Sequence, residues 1–108
     1  MDEIIFKQVN GISGDYISKL FIAVDGENDL SKDKDKLYDA YANSTSVFSA
    51  WKGDELIAIA RVITDKKIVG IIAGVRVHPD YQGNGIGKTL IEMCLSHYPR
   101  YQFTSLLC

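Results

Sequence analysis

One stretch constrains this chain more than any other: Val75-Arg76-Val77-His78-Pro79-Asp80-Tyr81-Gln82-Gly83-Asn84-Gly85-Ile86-Gly87-Lys88. It reads as a strand, a short turn, a glycine-rich loop and the first turn of a helix. Glycines at alternate positions 83, 85 and 87 remove Cβ atoms where backbone N–H groups must come close to a ligand. The loop opens directly into an amphipathic segment, so its free N–H groups lie at a helix N-terminus. That arrangement suits a phosphate or pyrophosphate.

Three kinds of glycine loop compete for this stretch, and spacing separates them. Gly87-Lys88-Thr89 matches the end of a Walker A loop, but the first glycine of that motif would fall on Gln82. A dinucleotide fingerprint would put its third glycine where Lys88 stands, and would sit near the start of a longer chain. The pattern Gln/Arg-x-x-Gly-x-Gly/Ala fits Gln82 to Gly87 without repair. Together with the lead-in from Val75 to Tyr81, which follows hydrophobic-x-Val-x-Pro-x-Tyr, it resembles the acetyl-CoA pyrophosphate loop of the GCN5-related N-acetyltransferases (GNAT). A ligand-free strand–helix connector would account for one glycine, but not for three beside Gln82 and Pro-x-Tyr.

Length and composition agree with one domain over residues 1–108. Hydrophobic residues at 46% suffice for a core, and a net charge of −2 gives no pull toward nucleic acid or an anionic membrane. No apolar run is long enough for a helical span, and the N-terminus has no signal-peptide pattern, so the cytoplasm is the expected location. Cys94 and Cys108 have no metal-ligand spacing, so no metal is expected. Cys94 reads as a small buried hydrophobe.

Along the chain, 4–9 reads as a strand ended by Asn10-Gly11. Ser13 caps a helix over 14–24, with Tyr16, Ile17, Leu20, Phe21 and Val24 at helical spacing. Ser31 is placed as the cap of a second helix carrying Leu37, Ala40 and Tyr41. Lys32 to Lys36, alternating in sign, reads as its solvated start. The period then becomes two: strands over 46–51 and 55–63 are joined by Lys52-Gly53-Asp54, and a third over 68–77 follows the turn 64–67. Gly74 inside that strand marks a bulge. A helix over 85–98 buries Ile86, Leu90, Met93, Cys94 and His97, Pro99 ends it, and 101–107 is a last strand.

The order β-α-α-β-β-β-α-β is that of the GNAT fold through its fifth strand: a mixed α/β fold with a mostly antiparallel central sheet flanked by helices. The resemblance covers the chain in element order, and residue by residue only about 75–88. It implies acetyl-CoA as co-substrate and a small-molecule or peptide amine as acceptor. The backbone of Val75, Arg76 and Val77 would pair with the pantetheine arm. Gln82, Gly83, Asn84, Gly85, Ile86, Gly87 and Lys88 would hold the pyrophosphate.

The chain also departs from the family. The usual last helix and two strands do not follow the fifth strand, which implies either an incomplete domain or a surface completed by a second chain. That helix commonly carries the tyrosine acid, so no position matches it. The fourth strand offers Ile71, Ile72, Ala73 and Gly74, none of which titrates. Glu55, Asp65, His78 and His97 are assigned no role. The leading expectation is an N-acetyltransferase, the second a non-catalytic CoA-binding sensor, and the third a fragment that oligomerises. The uncharged strand 101–107, without a gatekeeper lysine, leads to the expectation of a homodimer through that edge.

Overall fold

Ser46–Lys52 and Glu55–Thr64 are buried along most of their length, because both faces of these strands are covered. Alternation along them chooses between two helical layers, not between core and solvent. The computed structural model describes residues 3–98 and 102–105. It forms one five-stranded sheet in the order β1-β2-β3-β4-β5. The strands are β1 Ile4–Gln8, β2 Ser46–Lys52, β3 Glu55–Thr64, β4 Val69–Val77 and β5 Gln102–Ser105. The first four are antiparallel in succession, and β5 runs parallel to β4.

Helices α1 Gly14–Asp25 and α2 Lys34–Ala42 come between β1 and β2, and α3 Ile86–His97 between β4 and β5. Ile17, Leu20 and Phe21 of α1 and Leu37 and Tyr41 of α2 pack with Val47 and Ile59 on one face of the sheet. Ile86, Leu90 and Cys94 of α3 pack with Phe48, Ala60, Val62 and Ile72 on the other. Burial pushes the Cys94 thiol up to about 11, consistent with a packing role. His97 lies at the exposed rim of α3 with its ring edge-on to Phe48, outside the buried stripe expected for it.

Ser13 caps α1 as expected, its Oγ accepting from Asp15 N–H at 3.3 Å. The second cap differs. Asp33, not Ser31, caps α2, accepting from Lys36 N–H at 3.1 Å. Ser31 is fully buried in the α1–α2 loop, where its Oγ donates to Gly26 O at 2.8 Å and accepts from Asn28 N–H at 2.8 Å. Buried loop backbone must find partners, and a serine two residues before the cap supplies them. The first strand ends at Gln8, one residue earlier than its apolar pattern suggests. Of the predicted strand 101–107, residues 102–105 are described. Tyr101, Leu106 and Leu107 lie outside the described residues, as do Pro99 and Cys108.

Asp65 organises the β3–β4 turn. Its Oδ1 accepts from the N–H groups of Lys67, Ile68 and Val69 at 2.8, 2.9 and 3.2 Å. The bonds from Ile68, Lys67 and Val69 hold its carboxyl below the usual range. A carboxyl depressed on folding stabilises above its unfolded value, and that contribution is lost as pH falls through the folded one. The melting temperature is therefore expected to fall as pH drops below about 4, with a smaller fall in Asp65→Ala. Equal acid slopes for the two proteins in thermal melts would remove this role.

Candidate functional site

The fourth strand is broken in the middle by Gly74. Its φ of +64° is sterically restricted for other residues. The β3–β4 register shifts between Ile59↔Arg76 and Arg61↔Ala73, which puts an extra residue into β4 at this point. Tyr41 from α2 donates its hydroxyl to Gly74 O at 2.9 Å and holds the bulge. Pairing of β4 with the described part of β5 ends at Ile72↔Ser105, two residues before the bulge.

Beyond the bulge, the strand offers backbone along its outer edge. His78 N–H bonds Ile57 O at 2.8 Å, so His78 faces β3. Backbone groups alternate in direction along a strand, which turns those of Val77 and Val75 toward the other edge. Their carbonyls accept from side chains: Gln82 Nε2 at 3.0 Å from Val77 O, and Arg76 Nη1 at 3.0 Å from Val75 O. Gln82 thus ties the loop back onto the end of β4.

Pro79–Tyr81 forms a single 3₁₀ turn, capped by His78, whose Nδ1 accepts from Asp80 N–H at 3.1 Å. The chain then passes through Gly83 at φ +85° and Gly85 at φ +78°. A Cβ on either would have no protein atom within 4 Å. Gly85 precedes α3 and has no side chain to cap it. The first intrahelical bond is Thr89 N–H to Gly85 O at 3.0 Å, which leaves the N–H groups of Ile86, Gly87 and Lys88 without intrahelical acceptors. Asn84 and Lys88 are exposed beside them. A cavity of about 280 Å³ lies here, lined by Val77, Tyr81, Gln82, Gly83, Gly85, Ile86, Gly87 and Lys88.

Gly87 serves a different purpose from the other two glycines. A Cβ there would stand 3.2 Å from Val77 Cγ2, so the residue lets α3 pack closely on β4. The sequence pattern treats all three glycines as openings toward a ligand, whereas only Gly83 and Gly85 leave open space. These features fit a coenzyme A molecule. Amides and a dipole end suit its pyrophosphate, and a strand edge that the described part of β5 leaves uncovered suits its amide-bearing arm.

A second cavity, of about 400 Å³, lies on the α1/α2 side of the bulge. Its lining includes Phe21, Tyr41, Arg61, Gly74 and Arg76. Arg61 lies over the Tyr41 ring at 5.2 Å and bonds Ala40 O at 3.3 Å through Nη1. Arg76 lies over Phe21 at 4.7 Å and pairs with Asp25 at 2.9 Å. Burial pushes the Tyr41 phenol up to about 12, with Arg61 opposing the shift, so it keeps its proton at neutral pH.

Tyr41 and Arg61 carry no functional reading in the sequence pattern. A signal for Arg61 was present all the same: one cation inside the apolar strand run from Leu56 to Ile63. Asp65 and His97 line neither the loop cavity nor the bulge cavity, and Glu55 and His78 line a separate one of about 460 Å³ with Asp15, Tyr16 and Lys52. Among the described residues, no group of three or more His, Cys, Asp or Glu is placed to hold a metal ion. None of the described helices is long and apolar enough to cross a membrane.

The sequence profile of the Acetyltransferase (GNAT) family matches residues 15–108. No curated protein matches the chain. Among solved structures, it is similar to a GNAT family acetyltransferase of Streptococcus pneumoniae, with TM-score 0.81 and 22% identity, over 98% of this chain and 76% of that one. A protein of methicillin-resistant Staphylococcus aureus aligns with TM-score 0.80 at 18% identity, over 96% and 80% of the two chains. An aminoglycoside acetyltransferase from an uncultured soil metagenomic sample, solved with sisomicin, aligns with TM-score 0.71 at 17% identity, over 97% and 78%. At these identities the likeness is one of fold.

Proposed function

This chain belongs to the GNAT acetyltransferase family, and on that premise we propose that it moves the acetyl group of acetyl-CoA to a primary amine. One observation carries the reading. The open Gly83–Gly85 loop runs into the unpaired amides of α3, beside a stretch of β4 edge that the described part of β5 does not cover. In this reading the amides of Ile86, Gly87 and Lys88 bind the pyrophosphate, with Gln82 and Asn84 framing the loop. Val75 and Val77 offer their backbone to the pantetheine arm, with Arg76 between them. The strand break at Gly74 makes room for that arm.

Acetyl-CoA supplies an activated thioester. The neutral amine attacks its carbonyl carbon, a C–N bond forms, the C–S bond breaks, and CoA leaves as the thiol while one proton from the ammonium passes to solvent. The protein's part is to orient the reactants and exclude competing geometries. We place it as one domain over 1–108, in the cytoplasm, and self-associating through strand 101–107. Light scattering of Ser105→Lys beside the unaltered protein tests the last point, and an unchanged monomer in both would end it.

With no titrating side chain assigned as base or acid, turnover is expected to be slow and to rise with pH as the free amine appears. General acid–base help is typically worth about 10²–10⁴-fold. Thiol release with acetyl-CoA and an amine panel checks this. A fast, bell-shaped profile would reveal an acid and a base on this chain. A second reading, a CoA sensor, is favoured by the fourth strand, where Ile71, Ile72, Ala73 and Gly74 offer no titrating side chain. A sensor would bind CoA in calorimetry and release no thiol with any amine. A chain that binds no CoA would contradict both.

A further inference from the structure

We propose that the acceptor amine carries a carboxylate, read by Arg61 in the cavity on the α1/α2 side of the β4 bulge. This inference rests on the acyl-transfer reading and adds a substrate class to it. The cavity has Gly74, the residue of the strand break, in its lining. Its charged lining residues are Lys36, Arg61 and Arg76, and among the described residues no acidic side chain lines it.

Asp25 answers the charge of Arg76 at 2.9 Å. Among the described residues, no carboxylate pairs with Arg61 or Lys36. Arg61 is held in place without being neutralised. Its guanidinium stacks on Tyr41 at 5.2 Å, and Nη1 bonds the Ala40 carbonyl. Its Nε is buried and, among the described residues, has no acceptor. A buried donor without a partner is costly, and a guanidinium beside apolar walls is costlier. A carboxylate in the cavity answers the uncompensated charge of this guanidinium, in the planar geometry that arginine offers and lysine lacks. The same field repels polycationic amines. Phe21, Leu37 and Tyr41 give the remaining walls an apolar character suited to a carbon skeleton between carboxylate and amine.

The test is an NMR titration of the full chain with a panel of α-, β- and γ-amino acids, each paired with the amine lacking its carboxylate. At least one amino acid is expected to shift the Gly74 amide and the Arg61 Nε–H signal, and to bind at least tenfold tighter than its partner amine. Arg61→Gln should abolish that preference. The exposed Lys36→Gln, a surface change, should reduce it several-fold. Equal binding of acids and amines, no acid binding, or a preference that survives Arg61→Gln would overturn the inference. Calorimetry with CoA on the same samples separates the two levels. CoA binding without an acid preference defeats only this inference, whereas absent CoA binding defeats the acyl-transfer reading.

Discussion

Gly85→Val is expected to eliminate measurable CoA binding in a protein that still folds. The residue has φ +78° and immediately precedes α3. A Cβ at this position meets no protein atom within 4 Å, so it projects into the space where the loop is open. The helix amides beyond it would then be screened from a pyrophosphate. The backbone conformation adds a cost of about 1–2 kcal/mol for an L residue, more for a β-branched one. A loss of at least a hundredfold in affinity, about 2.7 kcal/mol, is the expected reading in calorimetric titration. Gly85→Asn separates the two causes, because asparagine tolerates left-handed backbone and still fills the opening. Lys88→Ala should cost far less, about 0.3–1 kcal/mol, since a single exposed charge adds little to main-chain donors. Undiminished affinity in folded Gly85→Val would sink the assignment of this loop. Gly87→Val, by contrast, should act on stability through Val77.

Gly74→Ala is expected to damage both stability and turnover. The added Cβ would run into the Tyr41 hydroxyl and stand 3.3 Å from Tyr41 Cζ and 3.5 Å from Arg61 Nε. The φ of +64° compounds the clash. Left-handed strain and overpacking together suggest a loss of about 2–5 kcal/mol in urea denaturation. Tyr41→Phe alone removes one hydrogen bond to Gly74 O and should cost about 1 kcal/mol. It also removes the atom that the new Cβ meets first. The double variant should therefore be more stable than the sum of the two losses implies, with a coupling of about 0.5–3 kcal/mol. Additive losses would mean that Tyr41 and the bulge do not depend on one another. An unaltered denaturation midpoint in Gly74→Ala would place the bulge elsewhere.

The parts of this fold that were legible in the sequence are those set by local chemistry. Ser13 followed by apolar residues at helical spacing announces α1, because a cap and a buried stripe are both local patterns. Lys52-Gly53-Asp54 announces the turn between β2 and β3. The run Gln82 to Lys88 announces the loop, because backbone at positive φ and open amides both demand glycine at fixed offsets. For the α2 cap, local pattern does not separate Ser31 from Asp33, because both are capping residues. Only burial of the α1–α2 loop, where Ser31 is needed for Gly26 and Asn28, separates their roles.

By itself, then, the sequence determined the element order, the strand break at Gly74 and the loop at 82–88, since each follows from bonds and torsions within a few residues. Tertiary structure alone decided which glycines open toward a ligand and which, as Gly87 does, admit a neighbouring strand. It also brought Tyr41 of α2 onto Gly74 of β4, and Arg61 of β3 onto Tyr41. Those pairs lie 33 and 20 residues apart in sequence. Contacts at such separations arise when helices close over a sheet, because burial of apolar surface is indifferent to sequence distance and depends only on which faces meet. That closure also surrounds one arginine of an apolar strand with a cavity wall.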